Sequence, residues 1–125
     1  GAFDMTVGYL KERKQFGIEI GRFQALQHRA AHLWSEAEVT ASAILHAGRK
    51  MDEDPENATL AVSLAKARAT ATATLAVQEG VQMHGGIGMT DDFDIGFFLK
   101  RCRILETLYG DRYFHLDRYA RLRGY

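Results

Sequence analysis

The chain has 125 residues, the length of one ordinary domain, and 46% of them are apolar or aromatic. This share is enough for a hydrophobic core, and it excludes a disordered segment, which would be poor in such residues. Sixteen Lys and Arg residues balance sixteen Asp and Glu residues, so no global charge attracts nucleic acid or an anionic membrane. We therefore expect neither as a partner, although a local basic patch is compatible with this balance.

The sequence shows no metal-binding pattern of cysteines and histidines. Cys102 is the single cysteine, which excludes an intrachain disulfide and a cysteine-based zinc cluster. It fits a reducing compartment, and we expect a cytoplasmic protein. His28 and His32 are four residues apart but lack the intervening Glu of a zinc-binding helix, so no metal site is expected. No apolar run approaches the roughly twenty residues of a membrane span, and no signal-peptide pattern opens the chain.

The first half of the chain predicts two helices. Residues 3–14 are predicted to be the tail of a helix that Gly17 ends. Residues 21–51 predict a long amphipathic helix, because apolar residues recur there at steps of three and four. These apolar residues are Phe23, Leu26, Ala30, Leu33, Ala37, Ala41 and Ile44.

The single proline marks the start of a second long helix, predicted over residues 55–84. Asp54, Pro55 and Glu56 follow the order of an N-cap, a first-turn proline and an acid that favours the helix dipole. Alanine alternates with Lys, Arg and Thr over residues 65–76, which predicts close packing against another helix. An edge strand is the competing interpretation, and we reject it because helical periodicity continues on both sides. The predicted apolar stripe consists of Leu60, Leu64, Ala67, Ala71 and Leu75.

Glycines divide the last third of the chain. A run of glycines at positions 85, 86 and 88 is expected to end the second long helix. A third helix is predicted over residues 92–108 and a short fourth one over 113–122, with Gly110 between them. No segment predicts a strand, so the expected fold is all-α, an antiparallel up-down four-helix bundle. The third helix is expected to begin at Thr90, Asp91 and Asp92, with an apolar face of Phe93, Phe97, Lys100, Ile104 and Leu108.

Two segments carry residue types suited to binding. Residues 11–17 combine cationic side chains with an aromatic residue and a glycine at a helix end, which can hold a phosphate beside a ring. The glycines after Gln82 expose backbone N–H groups and let another molecule approach the main chain. From spacing alone, a solvated helix end and a helix C-cap explain these segments better. Arg103 and Glu106 are one turn apart and are expected to pair.

Taken in order, these segments resemble the C-terminal helical domain of the acyl-CoA dehydrogenase flavoprotein family, from about residue 7 to residue 121. The family's E-R-x-x-F-G…x-Q is similar to Glu12-Arg13-Lys14-Gln15-Phe16-Gly17 followed by Phe23-Gln24. Its A-K-A corresponds to Ala65-Lys66-Ala67. Its Q-x-x-G-G-x-G corresponds to Gln82-Met83-His84-Gly85-Gly86-Ile87-Gly88.

The resemblance implies an FAD-dependent oxidoreductase of fatty acid or steroid catabolism. The family oxidises the Cα–Cβ bond of an acyl-CoA and passes the electrons to an electron-transfer flavoprotein. Residues 1–125 would then be one helical domain of a longer flavoprotein, without its upstream helical and β domains. The fragment alone is expected to be inactive, and the bundle to form a homo- or hetero-oligomer, either a dimer or a tetramer.

The resemblance also implies roles for individual residues. Arg13 corresponds to the arginine that binds the FAD pyrophosphate of the neighbouring subunit, a task that suits a guanidinium group. A Cβ at Gly86 is expected to interfere with FAD binding, because the backbone there must come close to the cofactor. The remaining cofactor-binding residues implied are Phe16, Gln24, Gln82 and Gly85.

The chain departs from the family at the catalytic position. Most members carry Y-E-G-T there, with the Glu as base, whereas Tyr109 stands at the Glu position and Asp111 at the Thr position. A phenol with an ordinary pKa near 10 is a poor base at neutral pH. The resemblance implies that Tyr109 and Gly110 contact substrate, and the catalytic residue is left unassigned.

Three accounts of the base remain open. It can come from an upstream helix, as in some branched-chain and long-chain members. The chain can instead be the base-lacking subunit of a heteromeric enzyme, as among actinobacterial steroid-degrading members, and we favour this account slightly. Glu106 is the weakest candidate, because it points about 60° away from position 109. The alternative function is a non-catalytic dimerisation or partner-binding module, although Arg13 would have no use in a bundle that only packs.

Overall fold

A computed structural model describes residues 1–90 and 92–125, and over these residues the chain forms five α-helices. The predicted all-α fold with an antiparallel four-helix bundle is confirmed, and the short N-terminal helix packs alongside it. Asp91, at the predicted start of the third bundle helix, lies outside the described residues. The helices are α1 (Ala2–Glu12), α2 (Gln24–Glu53), α3 (Thr59–His84), α4 (Ile95–Thr107) and α5 (Arg112–Leu122).

The central element is α3, which contacts each of the other four helices. Small side chains on several of its faces allow this, because neighbouring helices can approach it from more than one direction. Ala61 and Ala65 pack against Ala47 of α2, as the alanine-rich pattern predicts. The prediction of a single buried apolar stripe is wrong at Leu64, which is 36% exposed. A helix that is surrounded by partner helices has no single buried face.

The buried face of α2 follows the prediction only in its first half. Leu33 is buried as expected, whereas Ala41 and Ile44 are exposed. The positions buried further along are Thr40 and Ala47, which continue from Leu33 at intervals of seven. Seven-residue spacing keeps one face towards a partner helix, and an apolar-only pattern missed it because Thr40 is polar.

The predicted apolar face of α4 is exposed in this chain. Phe97, Ile104 and Leu108 are all at least 44% exposed, while Ile95 and Cys102 are buried instead. The helix carries apolar residues on two faces, and the pattern alone does not say which of them this domain covers. The start of α4 at Ile95 is also later than predicted.

The start of α3 and the connection after α1 differ from the prediction. Residues Pro55–Asn57 form a 3-10 turn, and Asp54 accepts a hydrogen bond from Asn57 Nδ2 at 3.0 Å instead of capping α3. The expectation of no strand is wrong at one hairpin, in which β1 (Lys14–Gln15) pairs antiparallel with β2 (Ile18–Glu19). Its two central residues, Phe16 and Gly17, both have positive φ, so the chain turns back there, and the helix before it ends at Glu12 instead of the predicted Lys14.

Candidate functional site

The end of α1, the hairpin, the start of α2 and the end of α3 enclose one cleft of about 350 Å³. Arg13 and Phe16 line it from the hairpin side. Gln82, Gly85 and Gly86 line it from the end of α3. The structure thus brings together two predicted segments that are almost seventy residues apart in the sequence.

The hairpin is the element that presents Arg13 and Phe16. The Arg13 carbonyl accepts a hydrogen bond from the Ile20 amide at 2.8 Å, which closes the base of the hairpin. Phe16 has a φ of 55° and is 90% exposed, and its ring lies edge-on to Phe23 at 6.1 Å. The turn therefore holds an aromatic ring out at the mouth of the cleft.

Glu19 neutralises the other cations of the hairpin. Its carboxylate lies 3.6 Å from Lys14 Nζ and 2.9 Å from Arg22 Nε. Its own backbone amide, followed by the charge of Arg22, lowers the pKa of Glu19 and keeps the group ionised. Arg13 has no ion pair with any residue in the described parts of the chain, so its charge is available to the cleft.

Aromatic stacking supports the inner wall. The ring of His84 stacks on Tyr9 at 4.4 Å, and Phe93 meets both rings edge-on. The Tyr9 hydroxyl donates to the His84 carbonyl at 3.3 Å, and His84 Nδ1 donates to the Gly80 carbonyl at 2.7 Å. Sequence reasoning missed Tyr9 and His84, although Tyr9 lies one turn before Arg13 and on the same side of α1.

The corner after α3 is fixed on its buried side and open on the other. Met83 packs against Leu10 and Ile20, which anchors the end of α3 to α1 and the hairpin. Gly85 has a φ of 67°, which strains any residue with a Cβ. A Cβ on Gly86 would meet nothing within 4 Å. The expected interference at Gly86 can therefore arise only from a molecule outside the described chain.

Gln24, Tyr109, Gly110 and Glu106 do not line this cleft. Gln24 is the exposed first residue of α2, and its neighbour Phe23 lines the cleft instead. Tyr109 is 86% exposed at the corner between α4 and α5, where its φ is 61°. Glu106 accepts a hydrogen bond from Arg103 at 3.3 Å, which confirms the predicted pair.

The chemistry of the cleft favours binding over acid–base catalysis. Its described lining contains one guanidinium, several aromatic rings and an accessible backbone corner, but no carboxylate. A guanidinium attracts phosphate, and the rings provide surface for a planar group. No cluster of three metal-ligating side chains is found in residues 1–90 and 92–125. None of the helices described is long and apolar enough to span a bilayer.

The fold and the cleft define an all-α domain with a cleft at one end of the bundle, and the residues of this cleft suit an anionic, partly aromatic ligand. Comparison with known families identifies the family of this domain. Residues 1–122 match the family model described as acyl-CoA dehydrogenase, C-terminal domain. The chain belongs to the acyl-CoA dehydrogenase family and corresponds to that domain.

Similar proteins support the same family. Acyl-CoA dehydrogenase IpdE2 of Mycolicibacterium smegmatis is 37% identical over 107 residues, which cover 86% of this chain and 32% of that protein. The caffeyl-CoA reductase-Etf complex subunit CarC of Acetobacterium woodii is 34% identical, over 87% of this chain and 28% of that one. The solved Tcur3481-Tcur3483 steroid ACAD has a TM-score of 0.91 and 30% identity, covering 98% of this chain and 34% of its own. The chain thus spans about a third of the length of these relatives.

Proposed function

We propose that this chain is the C-terminal helical domain of a longer, FAD-dependent acyl-CoA dehydrogenase, and that its cleft contacts FAD bound mainly by a neighbouring subunit. The observation that carries the proposal is the meeting of Arg13 and Phe16 with Gln82 and the Gly85 corner in one cleft without a carboxylate. The guanidinium matches a pyrophosphate, and the open corner leaves room for a nucleoside.

In this proposal, the residues of this chain bind and orient the FAD cofactor. Arg13 holds the pyrophosphate, Phe16 covers the cofactor at the cleft mouth, and Gln82 with Gly86 faces the adenosine part. FAD, when bound, supplies the acceptor for the hydride that leaves the β-carbon of an acyl-CoA. The enzyme is then an oxidoreductase acting on a CH–CH bond, and the 125-residue domain alone is inactive because the rest of the flavin site lies elsewhere.

The tyrosine at position 109 supports the proposal that this chain does not supply the catalytic base. A phenol that is 86% exposed replaces the carboxylate, and Glu106 is held by Arg103 one turn earlier. We infer that the base comes from a partner subunit or from an upstream helix, with Tyr109 and Gly110 bordering the substrate. The similarity to the Tcur3481-Tcur3483 steroid ACAD supports a steroid acyl-CoA among the candidate substrates.

The proposed partners are a second subunit and an electron-transfer flavoprotein. The exposed apolar residues Phe97, Ile104 and Leu108 leave a face of α4 that a further domain or subunit can cover. CarC is a subunit of an Etf complex, and the similarity to it supports electron transfer to such a flavoprotein. A non-catalytic helical module is less well supported, because it needs no unpaired guanidinium in a cleft.

The test is the FAD content of the full-length protein purified with its partner. Arg13→Ala is expected to weaken FAD binding roughly 10- to 100-fold, the loss expected for a charge-assisted hydrogen bond. Lys14→Ala is the matched control, because that neighbouring cation is paired with Glu19 outside the cleft lining. FAD stoichiometry that is unchanged in Arg13→Ala, or a wild-type complex without FAD, would contradict the proposed role.

A further inference from the structure

The corner between α4 and α5 holds two successive residues in the left-handed region. Tyr109 has a φ of 61° and Gly110 a φ of 100°. Glycine adopts this conformation freely, whereas a tyrosine rarely does. The Tyr109 ring is 86% exposed, so its own packing in this chain does not hold the backbone in place.

His115 is the side chain that forms a hydrogen bond with this corner. It is only 5% exposed, and its Nε2 lies 3.0 Å from the Tyr109 carbonyl oxygen. Because a carbonyl only accepts, Nε2 is the ring nitrogen that donates this hydrogen bond. Nδ1 has no hydrogen-bond partner within the described chain, so among these residues the ring forms a hydrogen bond with the Tyr109 carbonyl alone.

The first turn of α5 fixes the histidine relative to the corner. The Asp111 carboxylate accepts a hydrogen bond from the Phe114 amide at 2.8 Å and so caps α5. A Cβ on Gly110 would lie 2.5 Å from the Phe114 ring and 3.2 Å from His115 Nε2. The corner is therefore packed tightly against two consecutive residues of α5, with room only for a glycine at position 110.

We propose that His115 is a positioning residue that fixes the direction in which side chain 109 leaves the backbone. This inference rests on the proposed function, in which position 109 borders the substrate. The hydrogen bond from Nε2 holds the peptide plane between Tyr109 and Gly110, and this plane restricts ψ of Tyr109 and φ of Gly110. The role depends on the carbonyl of residue 109 and not on its side chain, so it applies equally when another residue stands there.

Hydrogen exchange in the full-length protein with its partner tests the proposal. His115→Leu removes the donor at similar size and is expected to raise amide exchange in residues 108–112 about tenfold, as loss of one hydrogen bond implies. His115→Gln restores a donor and is expected to return exchange towards the wild-type rate. Tyr109→Phe is the matched control, since it keeps the carbonyl and is expected to leave exchange unchanged.

A merely structural role gives a different pattern. If His115→Leu raises exchange equally in α3, or leaves residues 108–112 unchanged, the proposal is overturned. The 15N spectrum of the wild-type histidine gives a second readout that needs no variant. It is expected to show a protonated Nε2, and a ring protonated only at Nδ1 would also overturn the proposal. Neither readout depends on FAD content, so failure here is separate from failure of the cofactor role of Arg13.

Discussion

Gly85 and Gly86 are adjacent, but different physical constraints act on them. Gly85 has a φ of 67°, so any substitution there strains the backbone whatever the cleft holds. A Cβ on Gly86 has free space within this chain, and its φ is outside the left-handed region. Gly86 is thus the position at which the approach of a ligand can be separated from the stability of the fold.

We predict that Gly86→Ala lowers the FAD content of the full-length protein with its partner but leaves the thermal unfolding temperature of the FAD-free protein unchanged. The added methyl meets nothing in the described chain, and Gly86 lines the cleft in which we propose that the cofactor lies. Gly96→Ala is the matched control, because it also has free space around its Cβ and lies in α4 outside the cleft lining. Full FAD occupancy in Gly86→Ala would show that no molecule passes this corner closely.

The residues that line the cleft could be predicted from the sequence only where a motif contained them. Arg13 and Phe16 meet Gln82 and Gly85 in the cleft because the hairpin turns back towards the end of α3. His84 was not predicted, since its part in the cleft depends on stacking against Tyr9, which is distant in the sequence. Tertiary contacts of this kind have no periodicity that a sequence would show.

At the scale of elements, a pair of threonines joins the two longest helices. Thr40 and Thr72 are both buried, and their hydroxyl oxygens lie 2.7 Å apart. From the sequence alone, the threonines of α3 only lower the helix propensity of this segment, and Thr40 is a polar residue within the apolar pattern of α2. Their burial explains both features, because each hydroxyl satisfies the other inside the interface between the helices.

We predict that Thr72→Val destabilises the protein by about 1–3 kcal/mol, since it leaves the Thr40 hydroxyl buried without a partner. The double variant Thr40→Val/Thr72→Val is expected to recover most of this loss, because no buried hydroxyl then lacks a hydrogen bond. Urea unfolding of the wild type, both single variants and the double variant measures the coupling. If the two single effects simply add, the hydrogen bond does not join α2 to α3.

The helices themselves were predictable because long periodic stretches determine them. α2 and α3 were expected over 21–51 and 55–84, and they span Gln24–Glu53 and Thr59–His84. The buried face of each helix was less predictable. Phe97 and Ile104 of α4, for example, were expected on an apolar face and are exposed. Periodicity identifies an apolar stripe, while the choice of partner for that stripe depends on what else is present in the assembly.

At the scale of the whole molecule, three helices meet at Gly80. Thr6 of α1 and Ile95 of α4 are both completely buried there against α3. A Cβ on Gly80 would lie 2.7 Å from Ile95 Cδ1 and 3.1 Å from Thr6 Oγ1. The absent side chain therefore sets how closely α1 and α4 approach the central helix, and the Gly80 carbonyl also holds His84 beneath the cleft.

We predict that Gly80→Ala destabilises the protein by about 1–3 kcal/mol, the usual range for overpacking a core. Gly48→Ala is the matched control, because Gly48 is also inside a helix but has nothing within 4 Å of its Cβ. That substitution is expected to stabilise the protein by about 0.5–1 kcal/mol through helix propensity. Thermal unfolding of the two variants should therefore shift in opposite directions. If the unfolding temperature of both variants shifts in the same direction, α1 and α4 can move apart enough around Gly80 to accommodate a methyl group.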